Sequence, residues 1–183
     1  MSTLKVDEIL KRTGTGTITI GQSGDTIDLS NPTSVTLNSD MKNTPAFQAY
    51  RTATQSISNS TFTKVQNNVV LFDTDSAYDN STNYRFTIPS GKSGKYVFGV
   101  QCNIHDLPDA GYVYALIYKN GSKLKENIFS ASRTIPSSAT TVTIDDASAG
   151  DYYEAYTKQV SGGSLDLNYI YGNVFYGYRI IGA

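Results

Sequence analysis

The sequence predicts an all-β fold: an antiparallel jelly-roll sandwich of about ten strands, preceded by a short N-terminal stalk of brief strands. Two observations predict it. From Pro45 onward, apolar and polar residues alternate at a period of two, as in Tyr96, Phe98, Val100, Cys102 and Ile104. Clusters of Gly, Asn, Asp, Ser and Pro interrupt these runs at short intervals, and no convincing helical period replaces them.

The composition agrees. Val, Ile, Thr, Tyr and Phe suit a pleated, half-buried surface. Tyr is high at 14 and Trp is absent. A chain of 183 residues suits one ordinary domain plus an appendage. A single Cys allows no intrachain disulfide. The 15 basic and 16 acidic residues are scattered, which disfavours nucleic-acid binding, since phosphate neutralisation needs a concentrated basic patch. Apolar runs fall far short of the ~18–20 residues of a membrane span. Lys5, Asp7 and Glu8 interrupt the start, so no secretory leader and no export by that route are expected.

Element by element, residues 1–13 fit either a helical face (Val6, Ile9, Leu10) or strand alternation (Leu4, Val6). Residues 14–44 carry a loose repeat: Ile18-Thr-Ile20, Ile27-Asp-Leu29 and Val35-Thr-Leu37, separated by turn residues. Such short strands need partners, which three identical chains would supply; a disordered linker is the competing reading. Strands are then expected at 46–51 and 61–66, with a buried run at Val69–Phe72. Tyr84–Pro89 alternates and stops at the proline. The run from Tyr96 to Ile104 turns Gln101, Asn103 and His105 to the opposite face. Tyr112–Tyr118 leads into Lys119-Asn-Gly-Ser122, a hairpin turn whose Asn-Gly accepts positive φ. Lys123–Phe129, Val142–Ile144, Tyr152–Thr157 and Val174–Ile181 complete the set.

Several pieces in this order resemble a known family. They are Pro45-Ala-Phe-Gln-Ala-Tyr-Arg51, Phe62-Thr-Lys-Val65, Phe72-Asp-Thr with Tyr78-Asp-Asn, and Phe86-Thr-Ile-Pro89 before Gly94-Lys-Tyr-Val-Phe98. Tyr118-Lys-Asn-Gly121, Ala149-Gly-Asp-Tyr-Tyr153 and Phe175-Tyr-Gly-Tyr178 follow. Residues 45–183 thereby resemble the globular-head family of complement component one-q, a relative of the tumour necrosis factor jelly roll. The loop Pro89–Gly94 is longer than that family's usual turn. The resemblance implies a homotrimer whose heads bind by their exposed surface. The N-terminus, with Ser2–Asp7, Thr13–Gly21 and Gly24–Ile27, resembles the start of bacteriophage structural proteins, notably marine ones. That implies attachment to other virion proteins through residues 1–44.

Candidate chemistry is sparse. Cys102 and His105 spell Cys-x-x-His, but an offset of three in a strand sets them on opposite faces and no second ligand pair exists. One His and no nucleophile elbow leave no hydrolase triad, so no enzyme is expected. Asp73 and Asp75 sit in a run with the acid spacing of a calcium loop, but Tyr78 and Tyr84 occupy the positions that need Gly and Glu. Those two carboxylates remain weak calcium candidates against a solvated turn; otherwise no cofactor is expected. Asn59, Asn80 and Asn120 open glycosylation triplets that chance explains in so Asn- and Ser-rich a chain.

The tyrosines are the strongest binding signal, ten of the 14 lying at or after Tyr112. Tyr152, Glu154 and Tyr156 share one face of their strand, with Tyr153 and Ala155 on the other. Tyr169 and Tyr171 sit in a Gly/Asn-rich stretch. Exposed tyrosine suits glycan or protein recognition, whereas buried rings fill a core or a subunit interface. Tyr152, Tyr156, Tyr169 and Tyr171 stay open between the two, and Tyr96, Tyr153 and Tyr178 are assigned to packing. The expected function is a virion structural protein, a short trimeric tail fibre whose head binds a host-surface receptor, a saccharide in the first instance. The alternative is a capsid decoration protein with outward-facing trimeric heads.

Overall fold

The computed structural model describes residues 41–132, 135–167 and 172–181. The expectations for residues 1–40, including most of the stalk, lie outside them, as do Tyr169 and Tyr171. Among the described residues there are thirteen strands: β1 (Ala46–Tyr50), β2 (Gln55–Ile57), β3 (Thr63–Lys64), β4 (Val69–Asp73), β5 (Tyr78–Asp79), β6 (Arg85–Thr87), β7 (Gly94–Leu107), β8 (Tyr112–Lys119), β9 (Ser122–Ser130), β10 (Ile135–Ala147), β11 (Tyr152–Val160), β12 (Leu165–Leu167) and β13 (Val174–Arg179). Among the described residues no helix is long and apolar enough to cross a membrane.

The strands form a sandwich of two antiparallel sheets. One runs β10-β7-β13-β1-β4; the other runs β5-β6-β11-β8-β9, with β3 added beside β11. A third pairing joins β12 to β2. The fold is all-β, as the alternation predicted.

The period of two decides what fills the space between the sheets. Tyr96, Phe98, Val100, Cys102 and Ile104 of β7 all point inward and are fully buried. Phe47 and Ala49 of β1 and Phe175 of β13 join them from the same sheet. Phe86, Val113, Ala115, Ile117, Tyr153 and Ala155 face them from the other. The rings stack across the gap: Phe98 on Tyr153 at 3.9 Å between centroids, and Phe47 on Phe86 at 4.4 Å. Each such pair adds ~0.5–1.5 kcal/mol beyond its buried area. Gly177 makes room, since a Cβ there would lie 2.6 Å from the Phe98 ring.

Turns sit where the residues predict. Asn120 and Gly121 take φ of 51° and 78°, the conformation a tight hairpin between β8 and β9 needs. A part-buried ammonium-carboxylate network joins the β8–β9 turn to the end of β10 and the start of β11. Lys119 bonds Asp145 at 2.7 Å and Asp151 at 3.1 Å, and Tyr153 donates its hydroxyl to Asp145. Burial works against the Lys119 charge, but its two carboxylates outweigh that and raise its pKa.

The structure corrects the burial expected at 69–72 and the length of the strand at 61–66. Val69–Phe72 is not a buried run. It is β4, an edge strand whose register against β1 slips between Gln48 and Ala49, leaving Leu71 as the extra residue. Leu71 is 62% exposed and Phe72, on the outer face, 45%. The strand expected at Val142–Ile144 is present within a longer one of 13 residues, and its apolar side chains point outward. The inward side of β10 is small or polar: Ser137, Ala139 and Thr141 are buried there. The 61–66 strand shrinks to Thr63–Lys64, while β2, β5 and β12 are too short to stand out as alternation.

Phe98→Ala should cost ~3–5 kcal/mol of stability through the cavity it leaves. Gly177→Ala should cost ~1–3 kcal/mol by overpacking. Urea unfolding of each variant against the parent checks both.

Candidate functional site

The two outer faces of the sandwich differ sharply. On the five-stranded sheet, the outward side chains of neighbouring strands line up in rows. Val142, Gly99, Tyr176, Gln48 and Phe72 are successive register partners across β10, β7, β13, β1 and β4. Ile144, Val97, Tyr178 and Ala46 form the next row. The face is apolar and open: Ile144 is 62% exposed and Val142 48%. The Tyr176 ring lies flat on Gly99, where a Cβ would be 2.2 Å from it. Ala46, Gln48, Phe72, Tyr176 and Tyr178 line a hollow of ≈ 340 Å³. Tyr178, assigned to packing, is 38% exposed in the single chain and belongs to this face.

On the six-stranded sheet the outer face carries rings and cations. Its registers explain why. Glu154 lies opposite Tyr118, Tyr156 opposite Leu116, and Lys158 opposite Tyr114. Alternation therefore brings Tyr114, Leu116 and Tyr118 of β8 to the same side as Tyr152, Glu154, Tyr156 and Lys158 of β11. Tyr156 stacks on Tyr118 at 4.0 Å between centroids. Arg85 lies 4.3 Å above the Tyr152 ring. Lys158 sits between two rings, 4.9 Å from Phe62 and 5.2 Å from Tyr114. Lys64 pairs with the buried Glu154 and also donates to the Asn83 carbonyl. Outward-facing Leu116 is fully buried, so the side chains around it close over it. Burial, then the nearby Glu154 charge, raises the Tyr156 hydroxyl pKa.

Of the residues singled out in sequence, Tyr152 and Tyr156 are thus half-buried on one face, each already engaged by a neighbour. Phe62, Tyr114, Tyr118 and Lys158 complete that face and were not proposed as binding residues. The signal existed for two of them. The Asn-Gly turn fixes where β8 ends, and its tyrosines have the parity that meets β11 outside. Phe62 could not be placed, because it precedes a strand of two residues.

The other candidates separate. Cys102 is fully buried, its Sγ 3.7 Å from the Tyr156 carbonyl oxygen, and burial pushes its thiol up to about 12. His105 lies on the opposite side of β7 beside Asp106. Asp73 folds a turn: one carboxylate oxygen accepts the Asp75 N–H and the other the Tyr78 N–H. Asp75 accepts the Thr74 hydroxyl. Among the described residues no three His, Cys, Asp or Glu side chains converge as a metal site.

No protein-family model matches the chain, and no curated protein matches it. Solved structures do. The globular domain of zebrafish complement 1qA protein aligns with TM-score 0.52 and 18% identity, over 74% of this chain and 97% of that one. Murine APRIL aligns with TM-score 0.57 and 13% identity, over 74% and 98%. The Eiger TNF of S. frugiperda aligns with TM-score 0.55 and 12% identity, over 75% and 93%. At these identities the likeness is one of fold: the chain has the complement one-q/tumour necrosis factor-like jelly roll.

Two turns that frame the ring-bearing face depend on ionised carboxylates. Asp79 accepts the backbone N–H groups of Thr82 and Ser81, which hold its pKa far below the usual range. The Asn120 side chain and the Ser148 N–H, then Lys119, hold Asp151 down. A depressed folded pKa stabilises the fold above about pH 4, where the unfolded carboxyl is ionised, and that stabilisation is lost as pH falls toward the folded value. Stability should therefore decline in acid, and Asp151→Asn should show a shallower decline than the parent. Urea midpoints between about pH 5 and pH 2 measure it.

Proposed function

We propose that this protein is a non-enzymatic virion structural component, a short homotrimeric fibre or spike whose jelly-roll head binds a saccharide on a host surface. The observation that carries the reading is the division of labour between the two outer faces. One is largely apolar, which suits self-association; the other presents rings and cations, which suits a polar ligand.

Complement one-q and tumour necrosis factor-like domains usually trimerise. Here a second and third copy would cover Val142, Ile144, Phe72 and Tyr178, side chains too apolar and too contiguous for ordinary surface. Trimerisation multiplies weak head contacts into useful avidity. The phage-like N-terminal segment supplies the virion context and the attachment role of residues 1–44. The head's chemistry favours binding over catalysis, because the carboxylates of the ring-bearing face are tied up: Glu154 by Lys64 and Glu126 by Lys123.

Light scattering on the purified chain should give three times the chain mass. A Phe72→Asp, Ile144→Asp double variant should give the mass of one chain with its β circular dichroism kept; a monomeric parent removes the trimer. Antibody raised against residues 45–183 should label intact virions at tail or fibre tips. Label spread over the capsid would instead assign the protein to decoration, and no label on any particle would withdraw the virion role.

A further inference from the structure

We infer that the ligand of the ring-bearing face is a carboxylated saccharide, with the Phe62–Lys158–Tyr114 cluster as its anion subsite. The inference deepens the attachment reading and rests on it for the location of the site.

The cations of this face divide into two kinds. Lys64 and Lys123 have carboxylate partners, Glu154 and Glu126. Among the described residues Lys158 and Arg85 do not: their contacts are with aromatic rings. Asp79, across β5 and β6 from Arg85, spends both oxygens on the backbone and side chains of Ser81, Thr82 and Asn83. Among the described residues no carboxylate lies within ion-pair distance of either cation. A ring attracts an ammonium by its quadrupole but accepts no strong hydrogen bond. Lys158 is therefore positioned between two rings and half-buried, and its ammonium bonds no protein acceptor among the described residues. A carboxylate is the group that completes it, by a charge-assisted hydrogen bond.

The rest of the site selects a sugar as the carrier of that carboxylate. Phe62 is 44% exposed and offers a flat apolar surface to the C–H face of a pyranose, beside the Lys158 ammonium. The face is also elongated. Tyr152 under Arg85 and Lys158 under Phe62 lie six residues apart on one strand, ~20 Å at the rise of a β-strand. The stacked Tyr118 and Tyr156 lie between them. Two ring-held cations at the ends of an aromatic strip match a linear oligosaccharide that carries acid groups along its length. An acidic peptide could meet the cations, but it would leave the strip of flat rings without a matching partner.

The test is calorimetric titration of the full-length chain with a mannuronate tetrasaccharide, with cellotetraose and a tetra-aspartate peptide as controls. The uronate should bind and weaken with added salt, while both controls bind at least roughly tenfold more weakly. Lys158→Gln and Phe62→Ala should each reduce uronate affinity by roughly tenfold or more, and Lys158→Arg should restore most of it. Equal binding of uronate and cellotetraose, preference for the peptide, absence of uronate binding, or an unaltered Lys158→Gln would each overturn the inference. Adsorption separates this from the wider reading. If the head blocks phage adsorption without binding uronate, attachment stands and the carboxylated ligand falls. If it binds uronate without touching adsorption, the ligand class stands and the attachment role falls.

Discussion

The stack of Phe98 on Tyr153 is the contact on which the rest of this molecule depends. It joins β7 of one sheet to β11 at the middle of the other, and the other core rings arrange themselves around it: Tyr96, Phe86 and Phe175 lie within ring-contact distance of Phe98. Once β7 and β11 face each other in this way, period-two alternation leaves no freedom for their neighbours. Tyr152, Tyr156 and Lys158 must then point away from the core because Tyr153 points into it. Val97 and Gly99 must do so because Phe98 does not. Both outer faces are consequences of one buried contact.

What the sequence disclosed follows from that logic. β7 was legible because every second residue from Tyr96 to Ile104 is apolar and buried, so the pattern and the packing coincide. The Asn120-Gly121 turn was legible because its backbone conformation excludes most residues. β10 was legible as a strand but not in its length or in the face it buries. Its core side needs only small residues against the crowded rings of β7, while its apolar pair faces outward. Local alternation reports that a strand has two unlike faces; it does not report which face is the buried one. β4 misled for a related reason, since four apolar residues in a row carry no alternation to break, and the slip at Leu71 is a property of pairing with β1.

The ring-bearing face was half legible. Tyr152 and Tyr156 share a parity that can be read within one strand. Their partners come from β8, β6 and the segment before β3, and the spacing between those segments holds no trace of the registers that bring them together. Lys158 illustrates the point. In sequence it is one of 15 basic residues with nothing to distinguish it. In the fold it is set apart by the two rings that hold it and by the lack of a paired carboxylate among the described residues.

Cys102 lies directly behind this face, its sulfur against the backbone of Tyr156. Burial keeps the thiol protonated and shut away, so a soluble alkylating reagent meets it only when the sheets part. The only sulfhydryl in the chain thus serves as a natural clock for opening of the sandwich. Because it touches the strand that carries the ligand face, its rate of modification also registers any tightening of that strand when a ligand settles on the opposite side.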